Sequence, residues 1–218
     1  MKNKIKFHTN IDQTCSAWHK LRLGKFTASK ISNICGPRGL GKTGETYIIT
    51  KVAEVLTGKE EYVFESDAMQ HGNYYEPIVR DLYNKIAGIH YNKVGFVENK
   101  DYKNCGVSPD GVNYENGSGL EIKCPFTAKE HLKHLTIKNW QDFKKIKPDY
   151  YWQVRMQMLI TGFENWKFIS YNPDFVEKKD LRLYAVEIPW NDTECDFLAD
   201  RINQANEIYE SLLNSLVL

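Results

Sequence analysis

The sequence predicts an α/β or α+β sandwich, and the order of its periodic segments is what predicts it. Helically spaced stretches open the chain, and a cluster of short strands set apart by Asn, Asp and Gly turns follows residue 90. A helix, two more strands and a long amphipathic helix then close it. The 218 residues, 42% hydrophobic and 13% aromatic, are enough for one well-filled core, with at most a modest extension.

Along the chain, "TASKISNIC" (27–35) spaces Ile31, Ile34 and Cys35 in the helical manner. "ETYIITKVAEVLTG" (45–58) places Ile48, Val52, Val55 and Leu56 on one helical face and stops at Gly58. A helix is expected over 67–86, with Ile78, Val79, Leu82 and Tyr83 inward and Pro77 as a first-turn residue or a kink. The period then shortens to two, predicting strands over 90–99, 104–108 and 119–125. A helix over 149–162, strands over 166–172 and 181–189, and a terminal amphipathic helix over 194–216 complete the pattern. No repeat, low-complexity tract or linker interrupts it, so one domain is expected.

The net charge of +1 hides a segregation. Residues 1–44 carry nine Lys/Arg against the single acid Asp12, and residues 123–147 carry seven lysines against Glu130 and Asp142. From residue 164 onward there are eleven acids and five bases. Such a distribution can give a nearly neutral chain one basic face for phosphates. No apolar run is long enough to span a membrane, and "MKNKIKFHTN" lacks the apolar core of a secretion signal. Five scattered cysteines without a CxxC pair argue for a reducing cytoplasm rather than a disulfide or zinc framework.

"GPRGLGKT" (36–43) matches the phosphate-loop pattern letter for letter. A phosphate loop needs a buried strand to deliver it and an Asp-ended strand to hold magnesium. "TASKISNIC" is polar and helically spaced, and no such Asp-ended strand follows, although a helix near Glu45 fits in part. Nucleotide hydrolysis is therefore disfavoured.

"SPDGVNYENGSGLEIKCP" carries the chemistry. Asp110 sits at a Pro-Asp-Gly turn after a short strand, and Glu121 and Lys123 flank Ile122 in the next. Alternation puts Glu121 and Lys123 on one face. If the two segments pair, two carboxylates and a lysine converge. Two hard carboxylates suit Mg²⁺ or Mn²⁺ with open water positions, and such a metal activates water and stabilises charge on a phosphodiester. Lys123 can orient that water, or help deprotonate it if the site depresses its pKa.

Asp110 with "EIK" resembles the PD-(D/E)xK nuclease motif. "AWHKLRLGKFTASKI", "HGNYYE", "SPDG", "LEIKCPFT" and "QVRMQM" follow in the order and spacing of the phage lambda exonuclease family, the YqaJ-like viral recombinases, from about Trp18 to Tyr184. The resemblance implies a restriction-endonuclease-like core, a central mixed sheet flanked by helices, in a single nuclease domain over 1–218 with its core at roughly 18–188. It implies a cytoplasmic 5′→3′ double-strand DNA exonuclease, phage or prophage encoded, that leaves 3′ overhangs for recombination by single-strand annealing. Two Mg²⁺ per site, with Mn²⁺ as a substitute, a homotrimeric ring and a single-strand annealing protein as partner are implied as well.

Residue by residue, the resemblance makes Asp110, Glu121 and the Ile122 backbone carbonyl metal ligands, with Glu76 the helical acid beside them. Lys123 would position water, and Gln153 would support the site. Gln157, one turn on, would pack or sit behind it. Arg22, Ser29 and Ser108 match a pocket for the 5′-phosphate, where an Arg fork with hydroxyl donors reads a terminal dianion better than a bridging diester. Met69 matches an apolar wedge that unstacks the duplex, with helix core as the other reading. Arg38 and, more weakly, Lys42 are candidates for DNA backbone contacts, which turns "GPRGLGKT" from a nucleotide cradle into a polymer contact. The alternatives are an endonuclease or repair nuclease on the same core, and a non-catalytic DNA-binding module.

Overall fold

The computed structural model describes residues 4–61 and 64–216. A four-stranded mixed sheet forms the centre, built from β5 (Gly111–Asn113), β6 (Ser118–Lys123), β7 (Asn165–Tyr171) and β8 (Leu183–Pro189), in that spatial order. β5 and β6 form an antiparallel pair, β6 and β7 run parallel, and β7 and β8 are antiparallel. A parallel pair needs a long crossover. Here it consists of α4 (Ala128–Leu135), α5 (Trp140–Ile146) and α6 (Pro148–Thr161).

α6 is the buried hub. Every residue from Tyr151 to Thr161 is buried, and the helix packs against β7, α5, α7 (Asp192–Leu216), β3 (Phe96–Asn99) and a 3-10 helix over Ala28–Ile34. Pro148 at its start, where no amide partner is needed, and left-handed Gly162 at its end set its bounds. An all-round buried helix leaves no polar stripe to solvent, so each of its polar residues must find a partner inside. That requirement shapes the site described below.

The remaining elements frame this hub. β1 (Ile5–His8) pairs antiparallel with β3, and β2 (Phe26–Thr27) pairs parallel with β4 (Cys105–Gly106). α1 spans Ser16–Arg22, α2 spans Gly41–Thr57 and α3 spans Asp67–Ala87. The main core joins α2, α6, α7 and the inner sheet face, while a smaller one packs Val79 and Tyr83 of α3 on Leu120 and Ile122 of β6.

Several expectations change. "TASKISNIC" forms a 3-10 helix rather than an α-helix, burying Ala28, Ile31 and Ile34 at threefold spacing. Of 90–99 only Phe96–Asn99 is a strand; Gly95 just before it lies against the Ile11 carbonyl, where a Cβ would stand 2.1 Å from the oxygen. α3 runs through Pro77 instead of starting there. Its inward residues are Val79 and Tyr83, while Ile78 and Leu82 are exposed; on α2, Ile48 and Val52 are buried while Val55 and Leu56 are exposed. Each predicted face held two residues too many. α1, β1, α4 and α5 were not anticipated; α4 and α5 are capped by Thr127 and Asn139.

Candidate active site

The antiparallel register opposes Gly111 to Leu120 and so brings Asp110, the residue before β5, opposite Glu121. The two segments do pair. The Asp110 amide donates to the Leu120 carbonyl at 3.2 Å, and the Ile122 amide donates to Asp110 Oδ2 at 2.6 Å. Gly119 keeps this strand close to β7, since any Cβ there would stand 2.3 Å from the Trp166 ring.

Glu121 is 1% exposed, and both of its oxygens are held. Gln153 Nε2 donates to Oε1 and Gln157 Nε2 to Oε2, each at 2.7 Å, and Lys123 Nζ lies 2.5 Å from Oε1. Gln157 is thus as direct a partner as Gln153. The i, i+4 spacing in "QVRMQM" was the signal that both amides reach one target. Lys123 also lies 5.0 Å from the centre of the Tyr150 ring.

Burial, then the neighbouring Glu121 and Glu76 charges, pushes the Asp110 carboxyl well above the usual range. Burial likewise raises Glu76, with Lys123 opposing and Glu121 adding to the rise. For Lys123, burial lowers the pKa, but the carboxylates of Glu121, Asp110 and Glu76 outweigh it and drive the pKa upward. That direction favours the ammonium form, whereas help in deprotonating water would need a depressed pKa.

The negative charge that raises Asp110 and Glu76 is one a bound cation would offset. Among the described residues no three His, Cys, Asp or Glu side chains cluster tightly enough to enclose an ion alone. Mg²⁺ keeps several waters and takes only one or two carboxylates. Asp110 and Glu121 are the candidates, with Glu76 near by.

The walls of this centre were missed in the sequence. Arg80 donates to the Asp110 carbonyl at 3.1 Å, and Gln13 donates to the carbonyls of Val94 and Pro109 at 3.0 and 3.2 Å. The Pro-Asp turn is thereby fastened from both sides. Thr14, which lines a cavity with Glu76, Arg80 and Asp110, has φ of 72°, a strained value for a β-branched residue. Behind the sheet, Ser170, the β7 residue in register with Lys123, meets two buried histidines: His131 Nδ1 at 2.8 Å and His134 Nδ1 at 2.7 Å. His131 Nε2 faces the Leu181 carbonyl at 2.7 Å and must donate, so its Nδ1 accepts the Ser170 hydroxyl and His134 Nδ1 donates to it.

A second cavity of about 550 Å³ is lined by Arg22, Ser29 and Lys42, together with Thr43, Thr46 and Glu60. α2 starts at Gly41, so Lys42 and Thr43 stand in its first turn, and no strand feeds the loop. Ser108 is not part of this lining. It accepts a hydrogen bond from Trp18 Nε1 at 2.9 Å, and the Arg22 guanidinium lies 4.0 Å above the Trp18 ring. Burial pulls the Arg22 pKa down while Glu60 opposes that. Arg38 is exposed, and Met69 in the first turn of α3 is 45% exposed, which removes the helix-core reading. Of the lysines over 123–147, Lys123, Lys133, Lys144 and Lys147 are paired with carboxylates. All five cysteines are free. Among the described residues no helix is long and apolar enough to cross a membrane.

A mixed sheet with an Asp on one strand end, a Glu-x-Lys on the next and helices on the flanks defines a PD-(D/E)xK nuclease. Within that class the particular family is also clear. The model of the YqaJ-like viral recombinase domain matches residues 17–164, and the chain belongs to that family. An alkaline exonuclease from Laribacter hongkongensis, LHK-Exo, is 26% identical, with a TM-score of 0.81 over 93% of this chain and 96% of that one. Its structure in complex with dAMP superposes with a TM-score of 0.80 at the same identity and coverage. A phage-related exonuclease from Haemophilus somnus 129PT shares the fold, with a TM-score of 0.70 at 17% identity over 88% of this chain and 96% of that one. A search of curated proteins finds no match.

Proposed function

We propose that this chain is a Mg²⁺-dependent exonuclease that digests double-stranded DNA 5′→3′ from 5′-phosphorylated ends, releasing mononucleotides and leaving 3′ overhangs for recombination by single-strand annealing. The observation that carries the reading is the opposition of Asp110 and Glu121 across β5 and β6, with Lys123 ion-paired beside them. The exonuclease activity named for the Laribacter relative supports it. Bound at Asp110, Glu121, Glu76 and the Ile122 carbonyl, one or two divalent ions, Mg²⁺ or Mn²⁺, would supply charge neutralisation at phosphorus and a more acidic water.

The chain's own groups do the rest. Gln153 and Gln157 fix both Glu121 oxygens so that the carboxylate plane cannot rotate. The Ile122 amide and the Arg80 guanidinium hold Asp110 by its side chain and its carbonyl. Lys123 orients the attacking water and offsets charge on the phosphate. Arg22 and Ser29 hold the terminal phosphate, Ser108 backs that pocket through its hydrogen bond with Trp18, and Lys42 and Arg38 meet the DNA backbone. Met69, exposed at the start of α3, is the wedge. Residues 1–218 act as one nuclease unit, phage or prophage encoded, working in the host cytoplasm. A homotrimeric ring and an annealing-protein partner belong to the same reading on the strength of the family likeness.

The test is incubation with linear 5′-phosphorylated duplex and Mg²⁺, with EDTA and Asp110→Ala as controls. The 5′-ended strand should shorten, and Asp110→Ala should lower the rate on the order of 10³-fold while retaining DNA binding. Wild-type activity in Asp110→Ala would remove the site assignment. Cleavage of a covalently closed circle would make the protein an endonuclease.

A further inference from the structure

Arg22 is packed against an indole with no carboxylate in hydrogen-bonding reach of its Nε. Its guanidinium lies 4.0 Å over the Trp18 ring centre, and its buried Nε has no hydrogen-bond partner among the described residues. The nearest paired carboxylate is Glu60, whose Oε1 stands 3.9 Å from that Nε, beyond hydrogen-bonding reach. Glu60 Oε2 is engaged elsewhere, at 2.6 Å from His19 Nδ1. His19 and Arg22 are one turn apart on α1, and Glu60, Arg22 and Ser29 all line the same cavity. A carboxylate is thus parked on His19 with its other oxygen turned toward the guanidinium and not bonded to it.

We infer that Glu60 competes with a bound terminal phosphate for Arg22 and so promotes release of the mononucleotide product. This rests on the reading that the cavity receives the 5′-phosphate. In each cycle a water oxygen bonds to the phosphorus of the next diester, the bond from that phosphorus to the 3′-oxygen of the terminal nucleotide breaks, and the 3′-oxygen takes up a proton. The released nucleotide keeps the 5′-phosphate that was in the cavity, and the diester phosphorus becomes the new terminal phosphate. The group that marks an end is therefore the group that must leave before the next can enter. A dianionic phosphate tethered to a polymer has many other contacts and displaces a single carboxylate. Once the tether is cut those contacts are gone, and a carboxylate waiting at 3.9 Å shifts the balance toward release. Partly exposed ion pairs of this kind change an affinity about two- to fivefold.

The experiment measures binding of deoxyadenosine 5′-monophosphate and of deoxyadenosine to the full chain in Mg²⁺ by calorimetry, for wild type, Glu60→Gln, Arg22→Ala and the double variant. The expected result is that Glu60→Gln binds the monophosphate about threefold tighter and the nucleoside equally. The difference should vanish in the Arg22→Ala background, and Glu60→Ala should reproduce the gain. Unchanged or weaker monophosphate binding in both Glu60 variants, with Arg22→Ala still impairing it, would overturn the inference and leave the phosphate cavity standing. Monophosphate binding indifferent to Arg22→Ala would overturn the cavity assignment itself.

Discussion

Around Glu121 both carboxylate oxygens are met by groups of the protein, whereas around Arg22 the guanidinium rests on an indole and faces one carboxylate it does not touch. The two regions adjoin through Trp18 and Ser108, two residues before Asp110. One is preorganised by interior polar groups that a fully buried α6 must satisfy, and the other is left open at a surface cavity. A charge fixed by its own scaffold orients chemistry, because no reorganisation is needed when the reaction occurs. A charge left without a close partner selects and exchanges ligands.

Beyond Asp110 itself, the rear wall of the acidic centre gives the largest expected effect. Burial, then the charge of Lys147, depresses the His134 pKa from 6.5 to about 4. Its folded pKa lies below its unfolded value, so its neutral state favours the fold above pH 6.5, and that contribution is lost as pH falls toward 4. Stability should drop by up to about 3 kcal/mol over that window in chemical denaturation, and His134→Gln should flatten the dependence. An unchanged profile in that variant would detach the wall from the acid response.

The glutamines come next. Gln157→Ala and Gln153→Ala should each raise the Mg²⁺ concentration at half-maximal rate by about 10- to 100-fold, the usual scale for groups that hold a metal ligand. Equal effects would match their equal 2.7 Å contacts; a silent Gln157 would leave Gln153 as the sole support. In the open cavity, Arg22→Ala should cut the preference for 5′-phosphate over 5′-hydroxyl ends about tenfold, as read from the ratio of initial rates. A preference that survives would place the phosphate elsewhere. The smallest effect is expected at exposed Met69. Met69→Ala should slow digestion of blunt duplex a few-fold more than that of pre-frayed ends, a difference on the scale of one base step's unstacking.

The two regions also differ in how far they could be read from the chain. Asp110, Glu121 and Lys123 were legible because turn and strand periodicities fix which way side chains point over a dozen residues. Glu60 and Arg80 were not, because each reaches its partner from a separate element and carries no periodic mark of its own. Arg22 and Ser29 were assigned by likeness alone, and the fold puts both on one cavity while setting Ser108 behind Trp18.

By itself, then, the sequence determined the broad alternation of helical and strand segments and the Asp110, Glu121 and Lys123 constellation, since these rest on local spacing, while the nuclease family was legible through the resemblance of its motifs. The tertiary structure alone decided that α6 is buried all round from Tyr151 onward, that Gln157 equals Gln153, that neighbouring carboxylates raise the Lys123 pKa and that "GPRGLGKT" opens a helix beside Arg22. Burial, charge coupling and the meeting of distant segments are properties of the packed whole, and no window of the chain contains them.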